Sequence, residues 1–134
     1  MNPELTLYYD GNCPLCVRHV GFLRRVDRAG RLAFVDITSP GFDPAVLGTD
    51  MAAVNSELHS QRADGTVLTG VATICATFAA VHLGWMTLPL RTPLLRMLAL
   101  PGYRCFARNR HRLSRLLGLR LPECDNGACR RALW

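Results

Sequence analysis

Two apolar runs, Leu5-Thr6-Leu7-Tyr8-Tyr9 and Leu32-Ala33-Phe34-Val35-Asp36-Ile37, bracket a stretch in which Cys16, Val20 and Leu23 recur at helical spacing with Phe22 and Val26 beside them. A strand, a turn at Asp10-Gly11-Asn12, a helix closed by Ala29-Gly30 and a second strand follow one another with no room for other structure. A crossover of that length favours a parallel pair with right-handed connection. The second run is apolar almost throughout, which predicts an interior strand covered on both faces.

Past this unit, Thr38 to Gly48 reads as a loop with one helical turn begun by Asp43-Pro44. Asp50 is placed to cap a short helix over Met51–Leu58. Short strands near Leu58–Arg62 and Thr66–Thr69 around Asp64-Gly65 form a hairpin. Gly70 leads into an apolar helix from Val71 to about Leu83. Val71–Leu90 is long enough to span a bilayer, but Gly84, Pro89 and the break at Leu83 reduce it to a core helix. Two more helices are predicted, Pro93–Leu100, stopped by Pro101-Gly102, and Tyr103–Leu117; the chain after Pro122 is polar and reads as a flexible tail.

Cys13 and Cys16 fall where the first strand turns into the first helix. Unpaired backbone N–H groups and the positive end of the helix dipole favour a thiolate there. A second cysteine one turn on is close enough to resolve a mixed disulfide, so the spacing points to dithiol–disulfide exchange with Cys13 as nucleophile and Cys16 as resolving thiol. Cys13 is expected to be the less buried of the two, because Cys16 lies on the apolar stripe. Asp10 has two readings: proton acceptor for Cys16, or turn and capping residue. As a nearby carboxylate it would raise a thiol pKa, so simple activation is not its role. Arg18 and His19 read as solvent-facing, and His59, His82 and His111 show no ligand spacing.

With 134 residues, 49% hydrophobic and 19% charged, the chain suits a domain with a real core. The start, Met1-Asn2-Pro3-Glu4, has no basic region before an apolar run, which predicts a reducing, cytoplasmic setting. Six cysteines there argue for catalysis, metal binding or burial rather than three structural disulfides. Cys75 and Cys105 read as buried packing thiols. Cys124 and Cys129 could close a small disulfide, relay electrons to the first pair, or join Cys13 and Cys16 in a four-thiolate zinc site.

Charge is uneven: residues 1–90 carry a net −2 and residues 91–134 a net +8, all of the basic residues being Arg. The Arg-rich stretch reads as a solvated basic surface that could touch an acidic partner or the face of a membrane. Basic charge without a base-stacking motif argues against nucleic acid as the main partner.

The run Tyr8-Tyr9-Asp10-Gly11-Asn12-Cys13-Pro14-Leu15-Cys16 resembles the D-G-x-C-x-x-C signature of the DCC family of thiol-disulfide oxidoreductases. The resemblance extends through Phe22-Leu23-Arg24-Arg25 and Phe34-Val35-Asp36-Ile37, with weaker echoes at Ala63-Asp64-Gly65, Gly70 and Phe106-Ala107-Arg108-Asn109-Arg110. It implies an α/β, thioredoxin-like fold and a dithiol activity with no bound cofactor. The substrate would be a disulfide-containing protein or small molecule, with a cellular dithiol to regenerate the reduced form. Thioredoxins place a cis-proline opposite the CxxC; Asn55–Gly70 holds no proline, so the likeness does not reach their peptide groove. The expected organisation is a thioredoxin-like domain over 1–90, a basic helical extension over 91–120 packed on it, and the tail 121–134.

Overall fold

The structure, a computed structural model, describes residues 2–118 and a backbone ladder pairing 124–125 with 128–129. The rest of the tail and the side chains of Cys124 and Cys129 lie outside the described residues.

Four strands form one sheet in the order β2-β1-β3-β4: β1 (Leu5–Tyr9), β2 (Leu32–Asp36), β3 (His59–Arg62) and β4 (Val67–Thr69). β1 and β2 are parallel, with Leu5 opposite Leu32 and Tyr9 opposite Asp36. β3 runs antiparallel to β1 and to β4, to which the Asp64-Gly65 turn joins it. The helices are α1 (Pro14–Val26), α2 (Met51–Ser56), α3 (Val71–Ala80) and α4 (Pro93–Leu116), with a 3-10 segment over Gly84–Arg91. This is the thioredoxin-like α/β core that the sequence led us to expect.

The period of two in β1 distributes its side chains between two layers. Leu5 and Leu7 pack with Val20 and Leu23 of α1 and with Val81 just after α3. Tyr8 faces the other way, onto Ile37, Leu47 and Val54 of α2. Leu7 and Leu23 are fully buried, so truncating either to Ala should cost about 2–5 kcal/mol.

The start and end of α1 are both specified. Cys13 is its N-cap in extended conformation, Pro14 opens the first turn, and Arg24 and Arg25 sit in the last turn, where the dipole favours them. Asp27 then accepts from the N–H groups of Arg31 and Leu32, each at 2.9 Å, which sets the short return into β2.

Three expectations are corrected. β2 is an edge strand and mostly half-buried; the interior positions belong to β1 and β3. Its apolar run overstated burial because only one side of its ladder has a neighbour. The two helices divided at Pro101-Gly102 are one helix, α4, continuing through Pro101. A proline removes one helical hydrogen bond, here to the carbonyl of Met97, and Met97 is 71% exposed, so water can satisfy that group. Cys105, expected to be buried, is exposed. The body-facing side of the continuous helix is set by Tyr103, Ala107 and Arg110, which leaves Cys105 outside.

Candidate active site

The site begins in the β1–α1 turn. Asp10 Oδ1 accepts from the Asn12 N–H at 2.8 Å, and the Cys13 N–H donates to the Asp10 carbonyl at 3.1 Å. The Gly11 N–H donates to Asp36 Oδ1 at 3.0 Å, and a Cβ at residue 11 would overlap the Asp36 carboxylate. Glycine is therefore required for close approach, and Asp36 at the end of β2 ties the two strands to the turn.

At the helix start the Cys16 N–H points at Cys13 Sγ, 3.4 Å away. The thiol of Cys16 also donates to Cys13. That bond, the backbone N–H, and the charges of Arg110 and His111 together outweigh burial and hold the Cys13 pKa down at about 6. Cys16 moves the other way. Its hydrogen bond to Cys13, its burial and the Cys13 charge all oppose its ionisation. In the reduced pair, one sulfur is a thiolate at neutral pH and its neighbour keeps its proton.

Arg110 and His111 come from α4. Arg110 is buried, and its guanidinium lies 3.1 Å from Asp10 Oδ2 and 2.9 Å from the Asn55 carbonyl. His111 Nε2 lies 3.3 Å from the same Asp10 oxygen and is half-exposed. The Asp10 carboxylate thus serves the turn with one oxygen and anchors α4 with the other. Arg110 was read as one of many solvated arginines, and within the weak family echo Phe106–Arg110, without a role in the site. The sequence does carry one signal: Tyr103, Ala107, Arg110 and Ser114 recur three or four residues apart along one side of α4, which marks a face without showing what it packs against. His111 likewise belongs to the site despite having no ligand spacing in the sequence.

Burial of the two cysteines is the reverse of the expectation. Cys13 has no exposed surface, while Cys16 is half-buried and lines a cavity of about 720 Å³. Pro14 follows Cys13 and α4 packs across α1, so the N-terminal sulfur is closed over and the apolar stripe carries Cys16 to the cavity. The walls are mainly apolar, with Leu15, Ile74, Phe106 and Leu113 among them. That volume suits a small-molecule ligand. His19 is also in the wall, packed 6.1 Å from Phe78, and burial lowers its pKa so that it favours the neutral ring. Arg18 is exposed at the rim.

Leu58, just before β3, gives its N–H to the Tyr103 hydroxyl at 2.9 Å. No cis peptide bond occurs among the described residues. Of the other singled-out residues, Cys75 is half-buried in α3, His59 is buried with Nδ1 2.9 Å from the Glu57 carbonyl, and His82 is exposed. Among the described residues no group of three or more His, Cys, Asp or Glu could hold a metal ion. The four-thiolate alternative needs Cys124 and Cys129, whose side chains are outside them.

A sheet of this topology with two free thiols at the N-terminus of its first helix defines a thioredoxin-like dithiol protein. More particularly, the chain belongs to the DCC1-like thiol-disulfide oxidoreductase family, whose model matches residues 7–116. An uncharacterized chloroplastic protein of Arabidopsis thaliana is 37% identical over 87 residues, which is 63% of this chain and 41% of the relative. The chain therefore spans less than half the length of that relative. No solved structure matches.

Proposed function

We propose that this chain is a thiol–disulfide oxidoreductase that uses Cys13 as nucleophile and Cys16 as resolving thiol. The observation that carries the reading is the paired hydrogen bonding at the start of α1, where the Cys16 thiol and N–H both serve the Cys13 sulfur.

In the reducing direction, Cys13 thiolate attacks one sulfur of a substrate disulfide R–S–S–R′ and expels R′S⁻. The product is a mixed disulfide between Cys13 and R. Once Cys13 is capped it is neither a thiolate nor a partner for the Cys16 proton. Two of the causes that hold the Cys16 pKa up, including the largest, then vanish, while Arg110 still favours the anion. The Cys16 proton passes through solvent to R′S⁻, giving R′SH. Cys16 thiolate attacks Cys13 Sγ, releases RS⁻ and leaves a Cys13–Cys16 disulfide, which a cellular dithiol reduces.

Under this reading Asp10 is a positioning residue rather than the base: its carboxylate keeps Arg110 and His111 beside Cys13. Substrate reaches Cys13 from the cavity side, past Cys16. A compact, apolar disulfide fits that approach better than an extended peptide, because Tyr103 already occupies the Leu58 N–H that a peptide strand would need.

The test is trapping. With Cys16→Ser, an aryl disulfide should leave a stable adduct on Cys13; Cys13→Ser should abolish turnover with a dithiol reductant. Unchanged turnover in Cys13→Ser would sink the mechanism.

A further inference from the structure

Away from the dithiol, the 3-10 segment and the first turns of α4 present apolar side chains that no other described residue covers. Trp85 is 65% exposed, Leu88 52%, Leu94 70%, Met97 71% and Leu98 67%. Scattered exposed leucines are ordinary on a protein surface; this many exposed large apolar side chains within residues 85–98, a tryptophan among them, are not. Every residue from 91 to 98 is exposed, so this part of α4 shows water all its sides.

The charges on this surface have one sign. No Asp or Glu occurs between Asp64 and Glu123, and Arg91 and Arg96 stand among the leucines. Arg108 and Arg112, both exposed, continue along the side of α4 that Leu94 and Leu98 begin. The chain thus offers an apolar start followed by a basic stretch on one helix, with Trp85 in the 3-10 segment that leads into it.

From this surface we infer a peripheral membrane contact: the face around Trp85, Leu94 and Leu98 seats in the interfacial zone of a bilayer containing anionic lipid. Apolar side chains would enter the boundary between headgroups and acyl chains, and the arginines would keep their guanidinium groups at the lipid phosphates. Trp favours that depth because its ring is apolar and its N–H is polar. No helix among the described residues is long and apolar enough to cross a membrane, so the contact lies on the surface. A second copy fits less well, because the side of α4 that Leu94 and Leu98 begin continues into Arg108 and Arg112, and no carboxylate between Asp64 and Glu123 would offset the arginines two copies bring together. Nucleic acid would satisfy the arginines and leave the apolar side chains in water. The inference does not depend on the dithiol chemistry.

The experiment uses the full chain with Trp134→Phe, which leaves Trp85 as the single tryptophan of the two present. It is mixed with vesicles of phosphatidylcholine alone, or with phosphatidylglycerol added. Sedimentation with the anionic vesicles is expected, with a blue shift of Trp85 emission and quenching by bromine-labelled acyl chains. Leu94→Glu with Leu98→Glu should weaken binding at least about tenfold at unchanged melting temperature. Arg91→Gln with Arg96→Gln should weaken it and flatten its salt dependence. If the Leu variant does not fold, quenching in the parent chain decides. Binding that salt abolishes, with no blue shift or quenching, would mean adsorption by charge alone and overturn the inference. So would failure to bind either vesicle, with or without a dimer that the Leu variant dissolves.

Discussion

Arg110 ends 3.1 Å from the carboxylate of Asp10, a residue one hundred positions earlier in the chain. Both are buried, and the pair joins the turn that presents Cys13 to the helix that covers it. Removing one partner of a buried pair strands the other charge. Arg110→Gln is expected to cost about 3–5 kcal/mol in chemical denaturation. The same variant should raise the Cys13 pKa. Asp10→Asn with Arg110→Gln should recover part of the stability but not the low thiol pKa, a difference that separates packing from electrostatics.

The pH dependence of Cys13 follows from its lowered pKa. Thiolate absorbance and the alkylation rate of Cys13 should fall with a midpoint at about pH 6. Because the folded value lies below the unfolded one, the stabilisation of the reduced protein from this group is complete above the unfolded pKa. It declines as pH falls and is lost through pH 6. The reduction potential should correspondingly change by about 30 mV per pH unit above that midpoint, where reduction takes up one proton, and by twice that below it. A single slope across the range would show that Cys13 keeps its proton.

Gly11→Ala tests the turn itself. The added methyl meets the Asp36 carboxylate, which must move and give up the Gly11 N–H. A loss of about 1–3 kcal/mol is expected, read from the denaturation midpoint, together with a raised Cys13 pKa as the start of α1 shifts.

These three changes fall on residues whose legibility in the sequence differed greatly. The strand–turn–helix start, with Cys13 and Cys16 on it, could be read from local pattern: apolar alternation, a Gly-containing turn and helical spacing are all short-range signals. The hairpin around Asp64-Gly65 and the cap at Asp50 were legible for the same reason. Arg110 and His111 were not seen, because their role depends on where α4 packs, a contact set by the tertiary fold. Burial of Cys13 was misjudged on the same account, since the covering element lies far along the chain. Pro101 misled by its residue type: a proline ends a helix only where the lost hydrogen bond cannot be replaced, and at this exposed position water replaces it.

Tyr103→Phe addresses the contact between α4 and the start of β3. The Leu58 N–H loses the hydroxyl it donates to, and a partly buried amide is left unpaired. About 1–3 kcal/mol of stability should go with it, measured by denaturant unfolding. If the variant gains exchange activity toward peptide disulfides over small aryl ones, the Tyr103 hydroxyl is what withholds the Leu58 N–H from peptides.

The direct test of the dithiol is a redox titration of the purified chain in glutathione buffers, with thiols trapped and counted by intact mass and zinc measured on the same sample. A reversible two-electron transition confined to Cys13 and Cys16 is expected, without stoichiometric zinc. One zinc per chain, with these two thiols protected until a chelator is added, would contradict the proposed exchange chemistry and make the pair a structural metal site.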